Sequence, residues 1–495
     1  MRAEAMRCWT SAGVSMPIAD LETLNPPTAA QRAHSGRGKN GSPKRYVFIV
    51  DNYIGHLYGT LGLAQRLRDA GNHVVYFVGS EAAQVIRKFG LDAVENDWLE
   101  NKSKQRSVLR GLLNRKSVES ERVKRLSKID DAIASFVRSQ KPDLAVFDPF
   151  LLKYFPLFDK YGTKAVSIST KPLLTRSSLT PPYTSGVIPT DSRLGRMRVD
   201  LAWMRQKLSY FLYCLQEAAC QLVYADSRWL NEAVIELFAG KTYKRQDRHV
   251  RFDMRYEGMP ELVLQAREFD FPRTATEQGS AIFIGPCIRR LPNTSDAEAF
   301  LPDGDGPLVL CSMGTVRRKA QAHIVPFYLK VIQALAGSSY RLIVAAGSND
   351  EMEAIQRECR HKANVRICAW IPQQQLLSMC SLLVTHGGGG SLKEAFSQGV
   401  PVLVFPMRAD QPGCGARVEY HRLGRMGSLK KATSTNIRRL VDEVIHNEGY
   451  KNNCIRLAQA YRRYDDESVA VKALALLAAG DCELRKFDGG AVECK

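Results

Sequence analysis

The sequence predicts an α/β protein of two domains, each built on a parallel sheet flanked by helices and facing the other across a cleft. Three observations carry that expectation. Short β-branched and aromatic runs alternate with helix-period segments through both halves of the chain. Between the halves, CIRRLPNTSDAEAFLPDGDG (287–306) breaks every periodicity with Pro, Gly and Asp. The length of 495 residues exceeds one ordinary core and suits two units of roughly 200 residues each.

Taken in order, RYVFIVD (45–51) reads as the first buried strand. LYGTLGLAQRLRDAG (57–71) then sets Leu57, Leu61, Ala64 and Leu67 on one helical face before Gly71 ends it, and HVVYFVG (73–79) is the next strand. Strand, helix and strand make a βαβ unit, hence a parallel sheet. DLAVFD (143–148), KAVSIST (164–170) and SAIFIGP (280–286) continue it. The second series runs through PLVLCSMGT (307–315), helical IVPFYLKVIQALAG (324–337), strands YRLIVAAG (340–347) and VRICAWI (365–371), helical QQQLLSMC (373–380), then SLLVTHGGGG (381–390) and PVLVFP (401–406). The expected divisions are a first domain at 45–290, a linker at 291–306, a second domain at 307–470, and a C-terminal helix and tail at 471–495.

Hydrophobic residues at 45% and charged residues at 24% match an ordinary globular protein, so disorder is left for the ends. Residues 1–44 mix Pro, Gly, Ser and Arg without helical period and are expected to be a disordered basic tail. Twelve scattered cysteines without a C-x-x-C pair suggest reduced thiols in a cytoplasmic protein. No run reaches the roughly 18 apolar residues of a membrane-spanning helix. A net charge of +19 points to nucleic acid, an anionic membrane surface or a phosphorylated ligand. Nucleic acid is set aside: the basic residues are dispersed, and no zinc-finger spacing or aromatic RNA motif occurs.

The stretch HGGGGS, His386 to Ser391, lies where the strand LLVT meets the helix SLKEAFSQG. In parallel α/β domains ligands bind at such strand ends. Glycines let backbone N–H groups approach an anion, and the helix end adds positive potential, so the loop suits a phosphate. Glu394 follows on the first helical turn, where a carboxylate suits a ribose diol. Asp410 and Gln411 follow the next strand end.

The block WIPQQQLLSMCSLLVTHGGGGSLKEAFSQGVPVLVFPMRADQ (370–411) resembles the donor-binding signature of the UDP-dependent glycosyltransferases of GT-B fold, glycosyltransferase family 1, which includes plant secondary-product and bacterial macrolide enzymes. Weaker similarity extends from about residue 45 to residue 470. The resemblance implies two Rossmann-like domains. It places Trp370 under uracil, the Ile371 backbone at the base edge and Gln373 near the ribose. His386, Gly388, Gly389, Gly390 and Ser391 match the diphosphate cradle, Glu394 the ribose ligand, and Asp410 with Gln411 the pair that binds sugar hydroxyls. Ser312 and Thr315 match a second phosphate loop. Plant members have Trp-Asn where this chain has Gly389-Gly390, which places it nearer the bacterial type.

Glycosyl transfer needs a base for the acceptor hydroxyl, and histidine is suited to neutral pH. His56, at the junction after the first strand, matches the family's catalytic histidine, and Asp148, closing DLAVFD, its partner aspartate. The implied reaction is an inverting hexosyl transfer, most simply of glucose, from a UDP-sugar co-substrate to a small hydroxylated lipophilic acceptor, with no cofactor or metal. The DGD at 303–305 lies in the linker and is read as a solvated loop.

Two segments, 101–128 and RLGRMRVDLAWMRQKLSYFLYCL (193–215), combine Lys and Arg with apolar residues. Each is read as a solvated basic face over a packed apolar stripe, with peripheral contact to an anionic membrane as the second reading. A catalytically silent partner-binding relative is the alternative function, and a nucleotide-sugar hydrolase or epimerase a further one.

Overall fold

The computed structural model describes residues 42–96, 115–224, 232–245, 255–291, 297–314, 321–359 and 362–480. Most of the predicted tail, residues 97–114 with the first part of the first basic segment, Thr315 and the last fifteen residues lie outside the described residues.

Seven strands build the first sheet among the described residues: β1 (Arg45–Ile49), β2 (His73–Val78), β3 (Asp92–Glu95), β4 (Leu144–Phe147), β5 (Ala165–Ser169), β6 (Glu261–Val263) and β7 (Ala281–Phe283). Their order is β3-β2-β1-β4-β5-β6-β7, all parallel. Alternation places Tyr46, Phe48 and Val50 in one core, with Leu57, Leu61, Ala64 and Leu67 of the helix Ile54–Asp69. Val47 and Ile49 face the opposite core, against Phe136 and Phe158. Burial on both faces is why these strands read as continuous apolar runs.

The second sheet contains β8 (Leu308–Ser312), β9 (Arg341–Ala345), β10 (Val365–Cys368), β11 (Leu382–Thr385), β12 (Val402–Val404) and β13 (Gly424–Met426). Its order is β10-β9-β8-β11-β12-β13, again all parallel. In each sheet the chain works outward from a central strand, then resumes on that strand's other side. The switch points fall between β1 and β4 and between β8 and β11.

The structure adds elements that the sequence reading lacked. The strands β3, β6 and β13 are three or four residues long. A helix, Asn349–Glu358, lies between β9 and β10, where the sequence pattern alone suggests consecutive strands. Parallel neighbours require such a crossover. The chain passes between the units at Cys287 and Ile288, which pack into the first and second cores respectively. The helix Val469–Ala479 then returns to the first unit, burying Ala473 and Leu474 beside β4 residues, and Lys164 Nζ donates to the Ala478 carbonyl at 2.8 Å.

One expectation is overturned. The long helix Arg193–Tyr224 does not pack its apolar stripe: Met197, Leu201, Met204, Leu208 and Phe211 are exposed, while Val199 and Trp203 on the opposite face are buried. The helix docks through Gly195, Val199, Ala202 and Trp203 of its first three turns, leaving the larger apolar set facing outward.

Candidate active site

The switch point of the first sheet gathers the N-terminal candidates. β1 and β4 are adjacent, with Ile49 paired to Phe147 and the Asp148 N–H bonded to the Ile49 carbonyl at 2.9 Å. Asp148 therefore leaves β4 beside the loop that carries His56 into the helix Ile54–Asp69. His56 Nδ1 and Asp148 Oδ2 lie 2.5 Å apart, the carboxylate buried and the imidazole partly exposed. The other Asp148 oxygen accepts the Phe150 N–H at 2.9 Å, so the carboxylate is fixed at both ends.

Aromatic rings line this histidine. Phe150 stands 4.5 Å from the imidazole, centroid to centroid, Tyr53 packs edge-on against Phe150, and Lys171 Nζ lies 4.8 Å over the Phe150 ring. Burial disfavours the imidazolium, but the charge and hydrogen bond of Asp148, with Asp51 behind them, outweigh burial and Lys171. The His56 pKa is raised above its ordinary value. Asp51, at the end of the same strand region, is pushed up to about 6 by burial and by Asp148.

The second switch point gathers the C-terminal candidates. Register pairs Ser312 of β8 with Thr385 of β11, and Phe405, just past β12, donates to the Thr385 carbonyl at 2.8 Å. These three strand ends carry Ser312, the His386 loop and the Asp410 loop into one place. The helix Gly389–Ser397 begins there with Gly388 as N-cap and no capping side chain, so its first N–H groups point out unbridged by a cap. His386 sits between two glycines: a Cβ on Gly314 would lie 2.5 Å from the ring, and one on Gly388 closer still.

Glu394 is buried and held from three directions. Gln373 Nε2 donates to one oxygen at 2.7 Å, Gln374 Nε2 to the other at 2.9 Å, and Arg289 lies at 3.3 Å. These bonds bring Gln373, and with it Ile371 and the half-exposed Trp370 at the end of β10, to the same side as the glycine loop. Gln411 turns its amide oxygen to the loop N–H groups of Met407 and Arg408, at 2.8 and 3.0 Å. Asp410 is the N-cap position of the helix Gln411–Tyr420, after Ala409 in the left-handed region (φ 54°).

The sites meet across the cleft. The helices Ile54–Asp69 and Gly389–Ser397 pack together, and Gly389 approaches the Thr170 carbonyl at the end of β5 so closely that a Cβ would lie 3.2 Å from it. The Gly413 N–H donates to the Tyr183 carbonyl at 2.8 Å. Sequence reasoning missed Arg289, Gln374, Asp51 and Lys171, which join the site through tertiary contacts. Lys393, one turn below Gly389, was missed too: it is buried, and burial, aided by Arg66, pulls its ammonium down to about 8.

Two parallel α/β sheets with facing switch points make the two-domain architecture of the GT-B glycosyltransferases. Residues 222–469, half of the chain, match the family described as UDP-glucoronosyl and UDP-glucosyl transferase, and the chain belongs to that family. Among curated relatives it is similar to the NDP-glycosyltransferase YjiC of Bacillus subtilis strain 168, at 23% identity over 81% of this chain and 89% of that one. Among solved structures it is similar to the glycotransferase of kitacinnamycin (TM-score 0.60, 19% identity, 88% of this chain and 98% of that one). The same holds for CalG4, the calicheamicin glycosyltransferase (TM-score 0.60, 17% identity, 89% and 100%).

Proposed function

We propose that the chain is an inverting hexosyltransferase that moves glucose from UDP-glucose to a hydroxyl of a small lipophilic acceptor. The observation that carries this reading is the 2.5 Å contact between His56 and Asp148 at the switch point facing the glycine loop. With Nδ1 held by the carboxylate, Nε2 is the basic nitrogen. It takes the acceptor's hydroxyl proton as that oxygen bonds to the anomeric carbon and the bond from that carbon to the diphosphate breaks. UDP leaves with the bonding pair, its charge met by Ser312, His386 and the helix N-terminus at Gly388 to Ser391. Thr315 belongs with this group. The scheme calls on no metal or cofactor.

Trp370 serves the uracil, Ile371 and Gln373 the base edge and ribose, and Glu394 the ribose diol. Asp410 and the Gln411 NH2 serve the sugar hydroxyls. The rings of Tyr53 and Phe150 around His56 support an apolar acceptor, since they offer flat surface and few hydrogen-bond groups.

The test pairs turnover with binding. With UDP-glucose and a panel of aromatic and aliphatic alcohols, His56→Ala lowers transfer by about 10²–10⁴-fold while the UDP Kd stays within about twofold of the parent. Retained transfer in the variant, or a collapse of UDP affinity, overturns the role given to His56. UDP binding without sugar transfer from any donor by the unaltered protein overturns the enzyme reading in favour of a silent binder.

A further inference from the structure

The long helix Arg193–Tyr224 carries an apolar face that the fold leaves uncovered. Leu194, Met197, Leu201, Met204, Leu208, Phe211 and Leu215 follow one another at spacings of three and four, and each is 45–66% exposed. They occupy one stripe over about 30 Å of helix. Val199, Ala202 and Trp203 lie on the opposite face and are buried. A continuous exposed apolar surface of this length on a water-facing helix marks an interaction site.

Charge decides what covers it. On a helical projection Arg198 and Arg205 flank the stripe on one side, with Arg193, Arg196 and Lys207 on the other, all exposed. Asp200 is the acidic residue among them and is paired with Arg176 at 2.6 Å, while Arg196 pairs with Asp191 at 2.7 Å. The face thus presents six cations and two carboxylates around an apolar band. A second copy of the same helix would bring like charges together along both flanks, whereas lipid phosphates meet them with the opposite sign. Among the described residues no helix is long and apolar enough to cross a membrane, so the stripe fits a helix lying along a surface.

We infer that this helix is a docking surface for an anionic phospholipid bilayer. Its apolar side chains enter the boundary of the acyl chains, and the flanking Arg and Lys reach back to the headgroups. The helix is wired to the cleft: Trp203 Nε1 donates to the Thr180 carbonyl at 2.8 Å, Thr184 Oγ1 donates to Gln206 Oε1 at 2.6 Å, and Tyr183 between them accepts the Gly413 N–H. These bonds run from the helix face opposite the stripe, so docking leaves the segment 171–187 behind the helix, on the side away from the lipid. The inference concerns binding alone and stands whether or not sugar is transferred.

Vesicle flotation of the full chain tests it, with phosphatidylcholine vesicles and with phosphatidylcholine–phosphatidylglycerol vesicles. The protein should float with the anionic vesicles and stay in solution with the neutral ones. A protein of net charge +19 will also meet an anionic surface non-specifically, so the deciding variant is uncharged. Met204→Gln/Leu208→Gln/Phe211→Gln should lower the bound fraction about tenfold or more at unchanged net charge. Arg198→Glu/Arg205→Glu should do the same through the flank. Equal flotation of the triple variant and the parent overturns the proposal. So does a parent that stays off both vesicles, whether light scattering finds it monomeric or finds a dimer that the triple variant dissolves.

Discussion

At the residue scale the defining feature is a histidine whose proton affinity is set by its neighbours. In the proposed reaction the base acts while it is neutral, so a His56 pKa raised by Asp148 should place the acid limb of kcat/KM above the ordinary histidine value of about 6.5. Activity is present above that raised pKa and falls as the pH drops through it. Asp148→Asn removes the charge that opposes burial, so the limb should move to lower pH. The plateau rate should fall by about 10²–10⁴-fold, because an amide no longer holds the productive tautomer or steadies the imidazolium. The pH profile of the two proteins checks this. An unmoved limb would assign the titration to a group that Asp148 does not influence, since Asp51, pushed up to about 6 partly by that carboxylate, would shift downward with it.

At the level of elements, strand ends do the positioning, and much of that was legible. Residues 45–49, 144–147, 308–312 and 382–385 are apolar because both faces of each sheet are covered, and their ends bring His56, Asp148, Ser312 and His386 to the two switch points. The strands β3, β6 and β13, DAVE, ELV and GRM, were not legible because charged residues or glycine interrupt so short a pattern, whereas β7 and β10, equally short, lie within longer apolar runs. The helix Asn349–Glu358 carries its own signal: Ser348 to Glu351 spells a capping box, and the Ser348 hydroxyl accepts the Glu351 N–H at 3.2 Å. The glycine loop was legible as a phosphate site. That its glycines also make room for a histidine appears only in three dimensions. Gly314, at φ 76°, and Gly388 bracket the His386 ring, and a Cβ on either would overlap it. Gly388→Ala should thus push the ring out of the cradle and weaken UDP binding about tenfold or more while the global fold persists. Calorimetric titration with UDP, beside a thermal melt, is the check. Unchanged affinity would show that the ring moves aside at no cost to the ligand.

Over the whole molecule, the cleft exists because segments of each unit cross into the other. The segment after β6 buries Ala266 and Phe269 in the second core, and the helix Val469–Ala479 returns to the first. At the centre of this exchange Asp270 bonds Arg417, of the helix that begins at Gln411, at 2.8 and 2.6 Å, and Arg273 at 2.8 Å, all three side chains being buried. Arg273 in turn donates to the Leu173 carbonyl at 2.8 Å, close to Lys171. None of this was visible in the sequence, where Asp270 and Arg417 lie 147 positions apart in unremarkable surroundings. Burial alone would raise the Asp270 pKa, but the two guanidinium groups outweigh it and hold the carboxylate below its usual value. The sign follows from that: the bridge stabilises the fold above the unfolded carboxylate pKa, and its contribution is lost as pH falls through the lower folded value. Asp270→Ala leaves two buried cations facing each other and should cost about 3–5 kcal/mol at neutral pH, read by urea unfolding. The deficit relative to the parent should shrink as both proteins are acidified, since the parent then loses the same ionised carboxylate. A loss below about 1 kcal/mol, the range of exposed pairs, would mean that water reaches the guanidinium groups and that packing, rather than this bridge, holds the two units around the cleft.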